Sequence, residues 1–138
     1  VRQYQNTNLL SKQRTVYKTL TGTKIVPEMI QTSKETQNLE DRVVFDEYDA
    51  KGNPTLFSYK DGIKTKYLYN ANNQVIAKIE NFTGTLDPNT SAISGDPCTF
   101  INQYPNSLVT VFTYETVTNL LIQTMDSNCR KSTYIQRV

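Results

Sequence analysis

The chain has 138 residues, 37% of them hydrophobic and 20% charged, with a formal net charge of +2. That is enough for one domain burying about two-thirds of its unfolded surface, and so lean an apolar share suits thin sheets with one wet face. The small, scattered positive charge excludes a nucleic-acid footprint, the lack of any His removes the usual partner from acid–base, Ser-His, Cys-His and most zinc chemistry, and no apolar run is long enough to cross a bilayer as a helix.

Taken in order, residues 1–41 read as strands with weak punctuation. Residues 9–19 alternate loosely, Gly22 breaks the run, and KIVPEMIQT resumes it. Pro27 cannot donate to a ladder, so that stretch is either an edge strand or two short strands with a bulge. SKETQNLED (33–41) fits a loop or a single helical turn. The chain opens on Val1 without Met, which is expected of a mature or excised piece of something longer.

Residues 42–81 have the clearest grammar. Val44, Asp46 and Tyr48 should lie on one side of a strand, with Val43, Phe45 and Glu47 on the other. Asp49 is placed to accept from the backbone amides just ahead, Gly52 supplies a position with φ > 0, and Pro54 ends the turn. After the return strand, Asp61-Gly62 signals a tight hairpin. Ile63, Thr65, Tyr67 and Tyr69 then alternate with Lys64 and Lys66, predicting a packed face and a wet one. Asn70 to Gln74 turns again, with Asn73 at the position Gly52 occupies, and Val75 to Glu80 closes the segment.

Residues 82–107 break this rhythm. Three of the five prolines and two of the five glycines fall here, so a long irregular loop or insertion is expected. Residues 108–138 resume the hairpins, with turns after Tyr114 and at Asp126. The fold class that follows is all-β: a single domain built as an antiparallel meander of hairpins, with minimal helix and one long irregular loop.

The turns themselves repeat. Tyr48-Asp49-Ala50-Lys51-Gly52-Asn53 overlays Tyr69-Asn70-Ala71-Asn72-Asn73-Gln74. Tyr114-Glu115-Thr116-Val117-Thr118-Asn119 and Met125-Asp126-Ser127-Asn128-Cys129-Arg130 fit the same frame, and Tyr4 to Leu9 fits it more weakly. Each copy has a bulky residue, then usually an acid or amide, then three positions on a Gly or small polar residue. This frame, in FDEYDAKGNPTLFSYKDG and YLYNANNQVIAKIEN, resembles the YD-repeat (RHS-repeat) proteins, and most of all the repeats of large exported Bacteroidetes proteins. The likeness covers roughly residues 40–82 and 107–135. SLVTVFTYETVTNLLIQTMDSNCRKSTYI is similar to the segment that follows in that family, where a TDxxGR turn precedes a tyrosine-rich strand. Cys129 stands where the family has Gly, and Gln136-Arg137 replaces the next Tyr-Asp, so the array decays here. The family's self-cleavage signature is not visible, and no catalytic residue is carried over.

The resemblance implies a strip of β-hairpins of the kind that winds into a shell around a toxin or other cargo. It places the parent protein outside the cytoplasm: extracellular, at the cell surface or periplasmic. A fragment this short cannot close a shell and would leave sheet edges open. The expected role is therefore a non-enzymatic structural or interaction module that pairs by strand addition with another chain or the rest of a parent protein. No cofactor, nucleic acid or membrane span is expected.

Competing readings can be set against named residues. Glycan binding would use Tyr59, Tyr67 and Tyr69 as stacking platforms, whereas tyrosine in a hairpin frame more often packs across strands. A glycosidase would need paired carboxylates. Asp46, Glu47 and Asp49 are near in sequence, but Asp49 is accounted for by its turn. Asp87-Pro88-Asn89-Thr90-Ser91 with Asp96 offers alternating oxygens without the full calcium-loop pattern, and the triplets at Asn81 and Asn89 match a glycosylation signal that such a composition produces by chance. Cys98 and Cys129 either form a disulfide closing a 31-residue separation, contributing about 3 kcal/mol and suiting export, or remain two thiols.

Overall fold

A computed structural model describes residues 2–5, 8–34, 40–84, 88 and 90–135. They form an all-β, antiparallel chain of ten strands with two short helices. Two compact units divide it, residues 1–64 and 65–138.

The first unit is a meander of β1 (Arg2–Gln5), β2 (Asn8–Thr19), β3 (Ile25–Lys34), β4 (Glu40–Tyr48) and β5 (Pro54–Tyr59), each strand paired with the next. Thr21 to Thr23 cap the β2–β3 hairpin, with Leu20 N–H donating to the Lys24 carbonyl at 2.8 Å and Gly22 at φ 92°. Pro27 lies in an interior strand: Val16 faces Met29 and Tyr17 faces Pro27, so Glu28 is the extra residue of a bulge. The bulge is what lets a residue without an N–H sit there. Val26 and Leu56 are buried, and the Phe45 and Phe57 rings meet edge-on at 5.0 Å. The simple alternation expected for β4 does not hold. Its register shifts on both sides of Glu47, which brings Tyr48 round to stack on Phe45 at 6.2 Å. Of the 33–41 segment, Ser33 and Lys34 end β3, Glu40 and Asp41 begin β4, and 35–39 lie outside the described residues, as do two residues of the weak Tyr4 to Leu9 copy.

The second unit comprises β6 (Lys64–Tyr69), β7 (Val75–Glu80), α1 (Ser91–Gly95), α2 (Pro97–Ile101), β8 (Leu108–Tyr114), β9 (Leu121–Met125) and β10 (Lys131–Thr133). Its core runs across the strands in register. Leu68 faces Ala77, Ala77 faces Val111, and Val111 faces Met125, and all four are buried. One pleat along, Ile79 faces Val109, again both buried. Burial of such a face is the main driving force for the unit, roughly 1.5–3 kcal/mol for each large side chain.

Two sequence expectations change here. Segment 82–107 is not irregular throughout, since it holds α1 and α2, and Cys98 lies in α2 instead of a loop. The helix start has a local cause: Asp96 is the N-cap, accepting from Cys98 N–H at 3.1 Å and from Thr99 Oγ1 at 3.0 Å, and Pro97 opens the helix. The packed face of β6 also differs. Lys66, expected on the wet face, is 3% exposed and shares its face with Leu68, while Ile63 is exposed. The insertion supplies the cover: Phe82 is buried with its ring centroid 6.0 Å from the Lys66 ammonium, a cation–π approach.

Candidate functional site

Four hairpin tips close with one backbone pattern. In each, the first residue's N–H donates to the carbonyl four residues on, and the N–H of the fourth residue, in the left-handed region, donates back to the first carbonyl. The pairs are Asp49/Asn53 with Gly52 at φ 89°, Tyr59/Ile63 with Gly62 at 83°, Asn70/Gln74 with Asn73 at 62°, and Asp126/Arg130 with Cys129 at 60°. These are three-residue loops of the turn-plus-bulge type, so Asp61-Gly62 belongs to a loop one residue longer than the two-residue hairpin its sequence suggests.

Side chains reinforce the tips. Asp49 Oδ1 accepts from the amides of Lys51 (2.9 Å) and Asn53 (2.8 Å). Asn70 Oδ1 accepts in the same way from Asn72 and Gln74, at 2.9 and 3.0 Å. Asp126 Oδ1 accepts from Asn128 and Arg130, also at 2.9 and 3.0 Å. At the Tyr59 tip the acid sits two places later, and Asp61 Oδ1 accepts from Ile63 N–H at 3.0 Å. Partial burial works to raise the Asp49 pKa, but hydrogen bonds from Asn53, Lys51 and Gly52 outweigh it and hold the carboxyl below its ordinary value.

The Glu115 turn departs from the frame. Its closing bond runs from Glu115 N–H to the Leu120 carbonyl, and the left-handed residue is Asn119 (58°), four places on. The longer side chain suits the longer loop, taking the amides of Val117 at 3.0 Å and Thr118 at 2.6 Å. Those bonds lower the Glu115 pKa.

A second repeated element lies just before the tip. Register shifts occur at Glu47/Tyr48, Leu68/Tyr69 and Thr113/Tyr114, leaving Thr55, Ile76 and Ile122 as the extra residue of each return strand. Two of these tyrosines latch onto the strand before: Tyr48 hydroxyl donates to the Pro27 carbonyl, and Tyr114 hydroxyl donates to the Val75 carbonyl at 2.7 Å. Burial raises the pKa of both phenols. Neighbouring tips also join within each unit. Lys24 Nζ donates to the Lys51 carbonyl, while Asn72 Nδ2 and Gln74 Nε2 donate to Asn119 Oδ1 and its carbonyl. The Asp126 tip is different: Met125 replaces the tyrosine, and β9 and β10 pair without a register shift.

The insertion adds long-range contacts of its own. Phe100 is 0% exposed and Ile101 3%, and Tyr104 packs between Phe100 and Phe82, with centroids at 5.4 and 6.4 Å. Cys98 and Cys129 are joined by a disulfide with Cα atoms 5.4 Å apart, and Asn102 Nδ2 donates to Cys98 Sγ at 3.7 Å. Beside the helices lies a groove of about 410 Å³, with Ile76, Ile93, Pro97, Phe112 and Tyr114 as apolar lining and Asn70, Thr90, Ser94, Thr113 and Gln123 as polar lining. Among the described residues, none of the lining carries a formal charge.

The remaining candidates fall as follows. Tyr59 is exposed, and Tyr67 and Tyr69 are half-buried. Asp46 Oδ2 accepts from Ser58 Oγ and Asp49 is engaged by its tip. Asp96 caps α2, while Asp87 and Asn89 lie outside the described residues. No group of three or more His, Cys, Asp or Glu suited to a metal occurs among the described residues. The tyrosine latches and the Phe100–Ile101 anchor are what sequence reading missed. The anchor had a local signal in Asp96-Pro97, a helix start followed by apolar residues.

No protein family, curated protein or solved structure matches the chain. The likeness to YD-repeat proteins therefore rests on the residues of the turns.

Proposed function

We propose that this chain is a non-enzymatic structural and interaction module of the YD-repeat type, part of an exported or cell-surface shell or scaffold, which pairs with another chain or the rest of its parent through a sheet edge. The recurring unit carries this reading: tyrosine, register shift, turn acid or amide, and left-handed residue, at Tyr48–Thr55 and Tyr69–Ile76 and, one residue longer, at Tyr114–Ile122. A protein that spends its turn acids on its own backbone amides is built as a scaffold. The bridge suits an oxidising compartment.

The edge proposed to receive a strand is β10, which pairs only with β9 among the described residues. Tyr134 N–H donates inward to the Ile122 carbonyl, so the alternation of an antiparallel ladder turns Ser132 inward as well and points the N–H and C=O of Lys131 and Thr133 away from β9. Thr133→Pro removes one outward donor and no inward bond, a change edge strands tolerate. Affinity capture from source cells with wild-type and Thr133→Pro chains, read by mass spectrometry, tests the proposal. A constant companion or parent chain should come down with wild type and fall at least about tenfold with the variant, a loss of about 1.4 kcal/mol in binding. Equal recovery with both chains, or no companion at all, overturns it.

A further inference from the structure

On the premise that β10 receives the added strand, we propose that the Cys98–Cys129 disulfide holds that edge in shape, so that strand addition depends on the bridge being oxidised.

The argument turns on which side of the bridge is firmly held. β10 has three residues, all exposed, and a single neighbouring strand among the described residues. A three-residue edge strand held by one ladder has few bonds to lose and opens at the low end of the stability range. At the other end of the bridge, α2 lies against β8, with Phe100 and Ile101 sealed in the core and Asn81 and Ser107 closing the base of the insertion: Asn81 Nδ2 donates to the Asn106 carbonyl at 3.1 Å and Ser107 Oγ to the Asn81 carbonyl at 2.9 Å. The anchored partner is therefore the helix, and the tethered one is the hairpin tip. The tip is also held by Ser127 Oγ against the amide and carbonyl of Val109, at 2.6 and 3.2 Å.

The sequence at the tip points the same way. Gly52, Gly62 and Asn73 fill the left-handed position elsewhere, residues suited to it, whereas here a cysteine adopts φ 60°. The tip has the same backbone closure as the Asp49 and Asn70 tips yet lacks their tyrosine and register shift. The bridge to α2 stands in for that missing latch.

The switch is a two-electron exchange. A dithiol reductant attacks one sulfur as thiolate and forms a mixed disulfide, and its second thiol then displaces the protein sulfur. The reductant ends as a cyclic disulfide, and Cys98 and Cys129 end as protonated thiols.

Hydrogen exchange with mass spectrometry on the 138-residue chain tests this without a partner. It would be run oxidised, reduced with dithiothreitol, and as Cys98→Ser and Cys129→Gly. The glycine variant removes the bridge while giving the left-handed position its preferred residue, which separates loss of the tether from backbone misfit. The Ser132 and Tyr134 amides should exchange at least about tenfold faster in all three unbridged forms, with Val111 in β8 changing by less than about twofold. Unchanged β10 exchange overturns the proposal. An equal rise in β8 also overturns it, because the bridge would then brace the whole unit. A companion captured equally by wild type and Cys129→Gly overturns the coupling to strand addition, whereas Thr133→Pro alone reads strand addition itself.

Discussion

The hairpin tips and the 82–107 insertion keep their shape by opposite means. A tip such as Asp49–Asn53 is complete within five residues, with two backbone bonds, three side-chain bonds and one left-handed residue. The insertion is held by partners far along the chain: Phe100 and Ile101 in the β6–β9 core, Ser107 on Asn81, and Cys98 on Cys129. Tips are therefore cheap to vary and easy to copy, whereas the insertion is specified by one set of contacts and made once.

That contrast is broken most directly at Phe100. Phe100→Ala should cost about 3–5 kcal/mol in the urea unfolding free energy, the usual penalty for emptying a fully buried aromatic site. A loss under about 1 kcal/mol would mean the site collapses freely and that the insertion is as replaceable as a tip.

The same contrast explains how much could be read from the sequence. Acid, spacer and Gly52 or Asn73 lie side by side, so one glance at YDAKGN and YNANNQ predicts the loop. The extra residue after Glu115 was hidden, because Glu115 to Asn119 carries the right letters and only the backbone shows that the left-handed residue has moved one place. Lys66 was misplaced for a different reason. Its neighbours alternate as a wet face should, and the cover arrives from Phe82, outside the strand pattern. Tyr48 and Tyr114 read as packing residues, while their hydroxyl partners, Pro27 and Val75, lie 21 and 39 residues away. The turn acids and left-handed residues of YDAKGN and YNANNQ were legible because they lie a few residues apart, and the contacts made across tens of residues were not.

A middle-sized effect sharpens the claim that the left-handed position governs a tip. Gly52→Ala should cost about 1–2 kcal/mol, since a Cβ is strained at φ 89° and meets the Lys24 side chain. Asn73→Gly should lie within about 0.5 kcal/mol of wild type, because glycine suits the same backbone without strain. Paired urea titrations decide between this and a dominant role for the turn acids. Equal costs at the two positions would favour the acids.

The smallest effect separates charge from geometry. Asp49 and Asn70 make the same pair of amide contacts, one with a carboxylate oxygen and the other with an amide oxygen. Because the Asp49 pKa is lowered in the folded protein, its contribution is present above the unfolded carboxylate value and is lost as pH falls through the folded value, a window that begins in the ordinary carboxylate range and ends below it. Asp49→Asn keeps an acceptor that does not titrate. Wild type should therefore lose its advantage over the variant as pH falls through that window, with the two unfolding free energies converging or crossing at its lower end. The other carboxylates titrate in both proteins and cancel in the difference. A gap that stays constant from pH 7 to pH 2 would mean that the oxygen's position matters and its charge does not, and that the acid and amide versions of the turn are equivalent parts.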